Sequence, residues 1–237
     1  MSAPLFLVDA LPSGDTATLG GAEGHHAATV QRLRVGEDLV LADGRGGTAT
    51  AVVTAAGRGS LDLRIISRGY AEAPDPRLVV IQGIAKGDRG ELAVQAMTEV
   101  GVDEIVPWAA VRSVVQWKGE RGTRAHDKWV ATAREAAKQA RRPWLPTVAP
   151  PVSTREATVR ATLVLHEEAE TRLSTVDLPA AGEIALVVGP EGGIAPEELA
   201  AFESAGASLV RLGEQVLRTS TAGVAALSVL SARLGRW

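Results

Sequence analysis

The segment GPEGG, residues 189–193, has the residue types most suggestive of a binding loop. An apolar run before it predicts a buried strand, and Pro196 after it predicts the first turn of a helix. Consecutive glycines permit positive φ angles and allow close approach to the backbone. The segment lacks the lysine and the glycine spacing of phosphate-binding loops, and Glu191 would repel a pyrophosphate. It therefore favours a neutral or cationic ligand, with a tight turn that binds nothing as the alternative.

A second candidate loop, GEQVLRTST, follows the apolar run SLVRL. From Leu78 onward, short apolar runs alternate with helical patterns, which predicts a parallel sheet with helices on both faces. Ligands of such sheets bind beyond the carboxyl ends of the strands. The sequence therefore predicts that both loops lie at one edge of the sheet.

The chain before Leu78 has a different pattern. Leu61, Leu63 and Ile65 alternate with polar residues, and turn-forming glycines separate short strands. We predict a small β-barrel over residues 1–72, a proline-containing linker, and an α/β domain over residues 76–237.

Two helices of the α/β domain have clear signals. Asp88 and Glu91 form a capping-box pattern, and the helix they begin is expected to end at Gly101. The last helix, from TSTAGVAALSVLSARLG, is apolar nearly all round. It should be buried or face a partner.

Charge is distributed unevenly, although the net charge is only −3. Residues 112–142 are mainly basic and residues 167–203 mainly acidic. Such segregation can mark a polyanion site, although two solvated helices would give the same pattern. On a helix ending at Arg142, Arg134, Lys138 and Arg141 would form one basic stripe suited to phosphates.

The composition excludes several classes of protein. There are no cysteines, so disulfides, thiolate metal sites and cysteine nucleophiles are ruled out. The N-terminus is a poor signal peptide, and no apolar run approaches the length of a membrane span. We expect a cytoplasmic protein without a metal or a membrane partner.

The two candidate loops also carry a specific resemblance. LVVGPEGGIAPEEL followed by VRLGEQVLRTSTAGVAAL resembles the cofactor-binding region of the SPOUT class of RNA methyltransferases. Within that class, the sequence is most similar to the 16S ribosomal RNA uridine-N3 methyltransferases. KGDRGELAVQAMTEVGVDEIVP, RSVVQ and EAAKQARR resemble the middle of that family, and HHAATVQRLRVGEDLVLADGRGG resembles its PUA-like N-terminal barrel. One departure is that Ala140 and Arg141 stand where the family often has a small residue and a glycine.

The resemblance implies a deep trefoil knot in the α/β domain, a homodimer, and S-adenosylmethionine bound by backbone groups of the knot. It also implies the residues that form the floor and walls of the cofactor site: Leu165, Gly189, Glu191, Gly192, Gly193, Leu212, Gly213, Val216 and Leu217.

Arg218 and Thr219 are the catalytic candidates in this family. Methyl transfer to N3 of uracil requires removal of the imide proton, and an arginine beside the carbonyl oxygens would stabilise the resulting anion. A salt bridge to the acidic segment is the structural alternative for Arg218. The general base is not identified; His166 is a candidate because its pKa range suits the task, and a structural role is its alternative.

The partner that the resemblance implies is the 16S ribosomal RNA of the small ribosomal subunit. The RNA-binding candidates are basic residues of both halves: His26, Arg32, Arg34, Arg112, Arg134, Lys138, Arg141 and Arg142, with Arg45 a weaker one. Two other functions stay open. One is a ribose 2′-O-methyltransferase of the same class, although the asparagine-rich motif of those enzymes is replaced by LRTSTA. The other is a non-catalytic RNA-binding protein.

Overall fold

The computed structural model of the chain describes residues 3–237, which form two compact units. The first unit contains the described residues up to Ala73 together with residues 137–145, and the second contains 74–136 and 146–237. The predicted boundaries, 1–72 and 76–237, place the short segment 137–145 in the second domain. That segment nevertheless belongs to the first unit: the chain leaves this unit after residue 73 and returns to it at residues 137–145.

The first unit is built on a single five-stranded sheet. Its strands pair in the order β1-β3-β4-β5-β2, with β1 and β3 parallel and the other neighbours antiparallel. One helix, α1, runs directly into a π-helical turn, His26–Val30. The elements are β1 (Leu5–Leu7), β2 (Thr16–Leu19), α1 (Gly21–His25), β3 (Asp38–Ala42), β4 (Gly47–Ala56) and β5 (Leu61–Tyr70).

The period-two pattern of β5 is confirmed. Leu61, Leu63 and Ile65 are buried, and Asp62 and Arg64 are exposed. Because alternate side chains of a strand point to opposite faces, one face of the sheet covers the core and the other meets solvent.

The second unit is a six-stranded parallel sheet with helices packed against it. The strand order is β11-β9-β10-β6-β7-β8, and every pairing in it is parallel, as predicted. Two buried apolar clusters pack on its opposite faces, as expected for a parallel sheet. The strands are β6 (Arg77–Gly83), β7 (Glu104–Trp108), β8 (Thr147–Val148), β9 (Leu163–Leu165), β10 (Glu183–Val188) and β11 (Ser208–Val210). The helices are α2 (Arg89–Glu99), α3 (Gly119–Gln139, whose last residues belong to the first unit), α4 (Thr154–Arg160), α5 (Pro196–Ser204) and α6 (Thr219–Arg233).

The predicted capping box of α2 is wrong. Asp88 is the N-cap, but its side chain makes no capping hydrogen bond. Glu91 instead forms an ion pair with Lys128 of α3, with 2.9 Å between the charged atoms. The ion pair with α3 has therefore replaced the local hydrogen bond that a capping box would form.

Helix α3 begins at Gly119. Glycine is a poor helix former, which weakens the sequence signal of this first turn. Gly122 is nevertheless suited to its position, because a Cβ there would lie 2.7 Å from the backbone of Trp117.

The end of α3 contradicts the predicted basic stripe. The helix ends at Gln139, and Arg141 lies beyond it in the left-handed conformation, with φ of 54°. The amides of Arg141 and Arg142 donate to the carbonyls of Lys138 and Ala137, which is a Schellman motif. Glycine usually occupies the left-handed position, and another residue there costs about 1–2 kcal/mol. The departure of Arg141 from the family pattern thus coincides with a strained backbone.

None of the helices within residues 3–237 is both long and apolar enough to cross a membrane.

Candidate active site

A cavity of about 880 Å³ lies at the carboxyl ends of three neighbouring strands of the second unit. Three loops form its walls: residues 166–168 after β9, residues 189–194 after β10, and residues 211–218 after β11. This is the edge at which parallel α/β sheets bind their ligands. The cavity brings together all the predicted cofactor and catalytic residues: Leu165, Gly189, Glu191, Gly192, Gly193, Leu212, Gly213, Val216, Leu217, Arg218 and Thr219.

The loop of residues 212–217 has an unusual backbone. Among the described residues, no hydrogen bond uses its main-chain N–H or C=O groups. Its side chains are also largely exposed, with Val216 at 75% and Leu217 at 40% of full accessibility. Backbone polar groups normally find partners in a folded protein, so this loop offers a row of donors and acceptors to a ligand.

At two glycines of the GPEGG loop, neighbouring protein atoms leave no room for a side chain. A Cβ on Gly192 would lie 2.8 Å from the carbonyl oxygen of Arg112, and one on Gly189 would lie 2.9 Å from Ile194. Gly193 has a φ of 73°. Arg112 thus occupies the space that a side chain at Gly192 would need, and contact between the cofactor and this backbone stays a prediction.

Glu191 is engaged by the start of α2. Its carboxylate accepts hydrogen bonds from the backbone amide of Lys86, at 3.0 Å, and from the Arg89 guanidinium, at 3.2 Å. Partial burial opposes ionisation, but the backbone amides of Glu191 and Lys86 and the Arg89 charge together hold the pKa of Glu191 below its ordinary value. Arg89 thus compensates part of its charge, and the role of Glu191 in the cofactor site stays a prediction.

Glu198 is a structural residue of the site that sequence reasoning missed. It is 3% exposed, and its carboxylate accepts from the Val111 amide, the Thr154 hydroxyl and the Ala195 amide at 2.9, 2.7 and 3.2 Å. These bonds connect α5 to the residue that precedes Arg112. The signal available in the sequence was an acidic residue in the first turn of a helix, which indicated only a favourable helix dipole.

Arg112 is exposed and lies at the wall of the cavity. Its guanidinium donates to the Gly192 carbonyl at 3.4 Å. The RNA contact that the sequence suggests for this residue stays a prediction.

The two catalytic candidates stand at the start of α6 in different environments. Arg218 is the exposed N-cap residue, and within residues 3–237 its guanidinium takes part in no ion pair, which argues against the salt bridge considered from the sequence. Thr219 is 6% exposed, and its hydroxyl accepts a 2.9 Å hydrogen bond from Gln82. Gln82 is fully buried near the end of the mainly apolar strand β6, so its role was also missed. Gln82 thus fixes the Thr219 hydroxyl, and the catalytic roles of Arg218 and Thr219 stay predictions.

His166 is poorly arranged to act as a general base. Its Nδ1 accepts a 3.3 Å hydrogen bond from the Glu168 amide. A neutral imidazole whose Nδ1 accepts carries its proton on Nε2. The remaining nitrogen can therefore donate to a ligand of the cavity but not remove a proton from it.

Several RNA candidates of the first unit have structural roles. The Lys138 side chain is only 11% exposed and pairs with Glu23 at 2.9 Å, so its ammonium is not available as the predicted stripe requires. The ring of His26 packs edge-on against Phe6, with 6.2 Å between ring centres. The Arg45 guanidinium donates to the Asp9 carbonyl at 2.7 Å.

The other RNA candidates reach solvent to different extents. Arg32, Arg34, Arg134 and Arg141 are exposed, and Arg142 is half-buried. Their contribution to RNA binding stays a prediction.

Comparison with known proteins identifies the class to which this fold and cavity belong. Residues 71–231 match the family model of the RNA methyltransferase domain, and residues 19–66 match that of the RNA methyltransferase PUA domain. The fold class is therefore the predicted one, with a PUA-like sheet followed by a parallel-sheet α/β domain of the SPOUT class. The trefoil knot stays a prediction from the resemblance.

Within this class, the chain belongs to the family of the ribosomal RNA small subunit methyltransferase E proteins. It is 47% identical over 247 aligned residues to the member from Mycobacterium tuberculosis, covering 100% of this chain and 94% of that protein. The member from Bacillus subtilis is 27% identical, over 91% of this chain and 90% of that protein. The crystal structure of the Neisseria gonorrhoeae member, bound to S-adenosylmethionine, superimposes with a TM-score of 0.87 at 28% identity, and 98% of each chain is covered.

Proposed function

We propose that the protein transfers a methyl group from S-adenosylmethionine to N3 of a uridine in 16S ribosomal RNA of the small ribosomal subunit. The observation that carries this proposal is the cavity at the carboxyl edge of the sheet. On its wall lies Arg218, whose guanidinium takes part in no ion pair within residues 3–237. Membership of the family supports the type of reaction, and the cavity offers a site in which it could take place.

The residues of the cavity fit the cofactor. Its volume of about 880 Å³ lies in the range of small-molecule sites. Leu165, Leu212 and Leu217 offer apolar surface. The backbone of residues 212–217 offers hydrogen-bonding groups that find no partner in the described part of the chain. When bound, the cofactor supplies an activated methyl group on a sulfonium centre.

Arg218 would stabilise the charge that develops on the base. Loss of the N3 proton spreads negative charge over the two flanking carbonyl oxygens of uracil. A guanidinium can donate to one of these oxygens in a fixed geometry, and the interaction strengthens as the proton leaves. Arg218 should therefore lower the barrier more than it aids binding of RNA. Thr219, held by Gln82, positions this residue at the start of α6.

The test is the chemical identity of the product. Unmodified 16S ribosomal RNA and assembled small subunits are each incubated with the protein and methyl-labelled S-adenosylmethionine, and the RNA is digested to nucleosides for mass spectrometry. A labelled methyl on the uracil base at N3 supports the proposal. A methyl on the ribose would mean the 2′-O activity instead, and cofactor-independent RNA binding without transfer would indicate a non-catalytic protein.

The same proposal assigns RNA binding to the PUA-like domain, residues 1–72, and catalysis to residues 76–237. A ribosomal RNA substrate also implies that the protein works in the cytoplasm. Arg112 and Arg134 of the second unit and Arg34 and Arg142 of the first are exposed or half-buried cations that could contact the RNA backbone.

We propose further that the protein is a homodimer. Helix α6 buries one side against the sheet, but Val224, Ala225 and Val229 on it are only half-buried. A two-fold interface is the commonest way to cover such a surface. Val229→Arg should then shift the protein from dimer to monomer in light scattering at micromolar concentration, with Val159→Arg, at an exposed position of α4, as the control. A wild-type protein that is already monomeric would contradict the proposal.

A further inference from the structure

Glu198 carries a buried carboxylate, although it is not one of the residues that line the cavity. A charged group is costly to remove from water unless donors surround it. Its Oε1 accepts from the Val111 amide at 2.9 Å and from the Thr154 hydroxyl at 2.7 Å. Its Oε2 accepts from the Ala195 amide at 3.2 Å. One oxygen therefore caps the helix to which Glu198 belongs, and the other binds two segments that are distant in the chain.

The three donors around Glu198 explain why the position requires an acidic side chain. An ionised carboxylate only accepts hydrogen bonds, whereas the amide of glutamine has one accepting oxygen and a donating NH2 group. A glutamine at this position would direct its NH2 group at one of the donors that now face the carboxylate. The favourable helix dipole is therefore only part of the role of this residue.

The segment that Glu198 binds, Val111 and Arg112, has little else to fix its position. Both residues are exposed, and within residues 3–237 their backbone groups make a single hydrogen bond, that from the Val111 amide to Glu198. Arg112 in turn contacts the GPEGG loop. Its carbonyl oxygen lies 2.8 Å from the position that a Cβ on Gly192 would occupy, and its guanidinium donates to the Gly192 carbonyl at 3.4 Å. Arg112 and Gly192 both line the cavity.

We propose that Glu198 is a positioning residue of the cofactor site, which holds Arg112 against Gly192 and so fixes the cavity wall that S-adenosylmethionine meets. This inference rests on the proposed function, which names the cofactor. Binding to a wall that is already fixed avoids the entropy loss of ordering a mobile one. Loss of the Glu198 carboxylate should therefore weaken cofactor binding, while the reaction of the bound cofactor changes little.

The first test is Glu198→Ala, which removes the hydrogen bonds to all three donors. We expect the dissociation constant for S-adenosylmethionine, measured by calorimetry, to rise about three- to tenfold, as for the net loss of one hydrogen bond. The rate of methyl transfer at saturating cofactor should stay within about twofold of the wild type, since only binding is affected. A purely structural role predicts the other pattern, in which loss of folded protein lowers the maximal rate and the remaining folded molecules bind the cofactor normally.

A second variant removes the same hydrogen bond from the donor side and leaves the buried carboxylate in place. Val111 is the second residue of a turn that the Ser113 amide closes on the Ala110 carbonyl at 3.0 Å. Proline is favoured at this position of a turn and has no N–H. Val111→Pro should therefore fold and weaken cofactor binding as Glu198→Ala does. The double variant should bind no more weakly than Glu198→Ala alone, because both changes remove one and the same bond.

Two control variants test other parts of the network. Glu156→Ala removes the carboxylate at the matching position of α4, where it accepts hydrogen bonds from Ser153. Thr154→Val removes one donor to Glu198 but keeps the Val111 bond. Both should lower the free energy of unfolding in urea, and both should bind S-adenosylmethionine with wild-type affinity.

Weaker cofactor binding in Glu198→Ala and Val111→Pro, with normal binding in the two controls, would support the proposal. Normal affinity in folded Val111→Pro, or an equal loss of affinity in Thr154→Val, would overturn it, because the carboxylate would then serve packing alone. Circular dichroism establishes that each variant is folded. Wild-type protein that does not bind S-adenosylmethionine would refute the proposed function and this inference with it. Wild-type protein and variants that bind the cofactor equally well would refute this inference alone.

Discussion

The two edges of the parallel sheet in the second unit differ sharply in how their polar groups are satisfied. At the amino edge, the Arg160 guanidinium donates to the carboxylates of Glu104, at 2.8 and 2.9 Å, and Glu183, at 2.9 and 2.7 Å. Arg77 adds a further bond to Glu104 at 3.1 Å. At the carboxyl edge, the backbone of residues 212–217 has no hydrogen-bond partner within the described chain. One edge is closed by its own side chains, and the other is open to a ligand.

The paired side chains of the amino edge also shift each other's pKa values. The hydrogen bonds from Arg160 outweigh partial burial and, together with the Arg160 and Arg77 charges, hold the pKa of Glu104 below its ordinary value. The same bonds, with those that Arg160 donates to Glu183, raise the pKa of Arg160. Ion pairs at the amino edge stabilise the fold, and unpaired backbone groups at the carboxyl edge are free to bind a ligand. Substitutions at the two edges should therefore have separable effects.

The largest effect is expected at the carboxyl edge, from Arg218→Ala. Removal of one donor to a developing anion typically costs about a hundred- to a thousandfold in rate. RNA affinity should change little, because the interaction strengthens only as the N3 proton leaves. Single-turnover methyl transfer and RNA titration measure the two quantities. Arg218→Lys keeps the charge but not the planar donor pair, so it should recover only part of the rate. Equal losses in rate and RNA affinity would make Arg218 an ordinary RNA contact.

The second effect belongs to the amino edge. Arg160→Ala leaves the partly buried carboxylates of Glu104 and Glu183 without their main partner, which should cost about 2–3 kcal/mol of unfolding free energy. Affinity for S-adenosylmethionine should stay as in the wild type. Urea unfolding and calorimetry test this pair of outcomes. Arg155→Ala in the same helix is the control, because that side chain is exposed. A variant that loses cofactor affinity while keeping its stability would contradict the separation of the two edges.

A smaller effect is expected from Gly213→Ala. A Cβ at this position meets nothing closer than 3.7 Å in the protein, so the fold should not change. If the backbone of this loop contacts the cofactor, the added methyl should weaken binding about tenfold through overpacking. Gly14→Ala, at another uncrowded glycine, should bind the cofactor normally. Normal affinity in the Gly213→Ala protein would place the cofactor away from this loop. Gly192 is less suitable for this test, because a side chain there meets Arg112 first.

Much of this arrangement could be predicted from the sequence, because it depends on local patterns. The alternation of apolar runs with helical segments predicted the parallel sheet, and Pro196 marked the start of α5. Strand ends in a parallel sheet meet at one edge, so the position of GPEGG and LRTST in the sequence was sufficient to place them together. The family resemblance added the cofactor and the reaction.

The remaining features depend on tertiary contacts that no local pattern reveals. Lys138 looked like part of a solvated stripe, but its partner, Glu23, is more than a hundred residues away in the chain. Glu198 gave the signal of an ordinary first-turn carboxylate, although it accepts hydrogen bonds from two other segments. The return of residues 137–145 to the first unit likewise had no signal in composition. Arg141 was noticed as a departure from the family, but only the structure relates it to a left-handed turn.

The most direct test of the central claim is backbone hydrogen–deuterium exchange with and without saturating S-adenosylmethionine, at one protein concentration. The amides of residues 212–217 have no partner in the described chain, so they should exchange rapidly in the free protein and become protected when the cofactor binds. The first residues of β6, β7 and β10, which carry the ion pairs of the amino edge, should show no change. Absence of protection at 212–217, with protection appearing instead at the amino edge or in the first unit, would contradict the assignment of the active site.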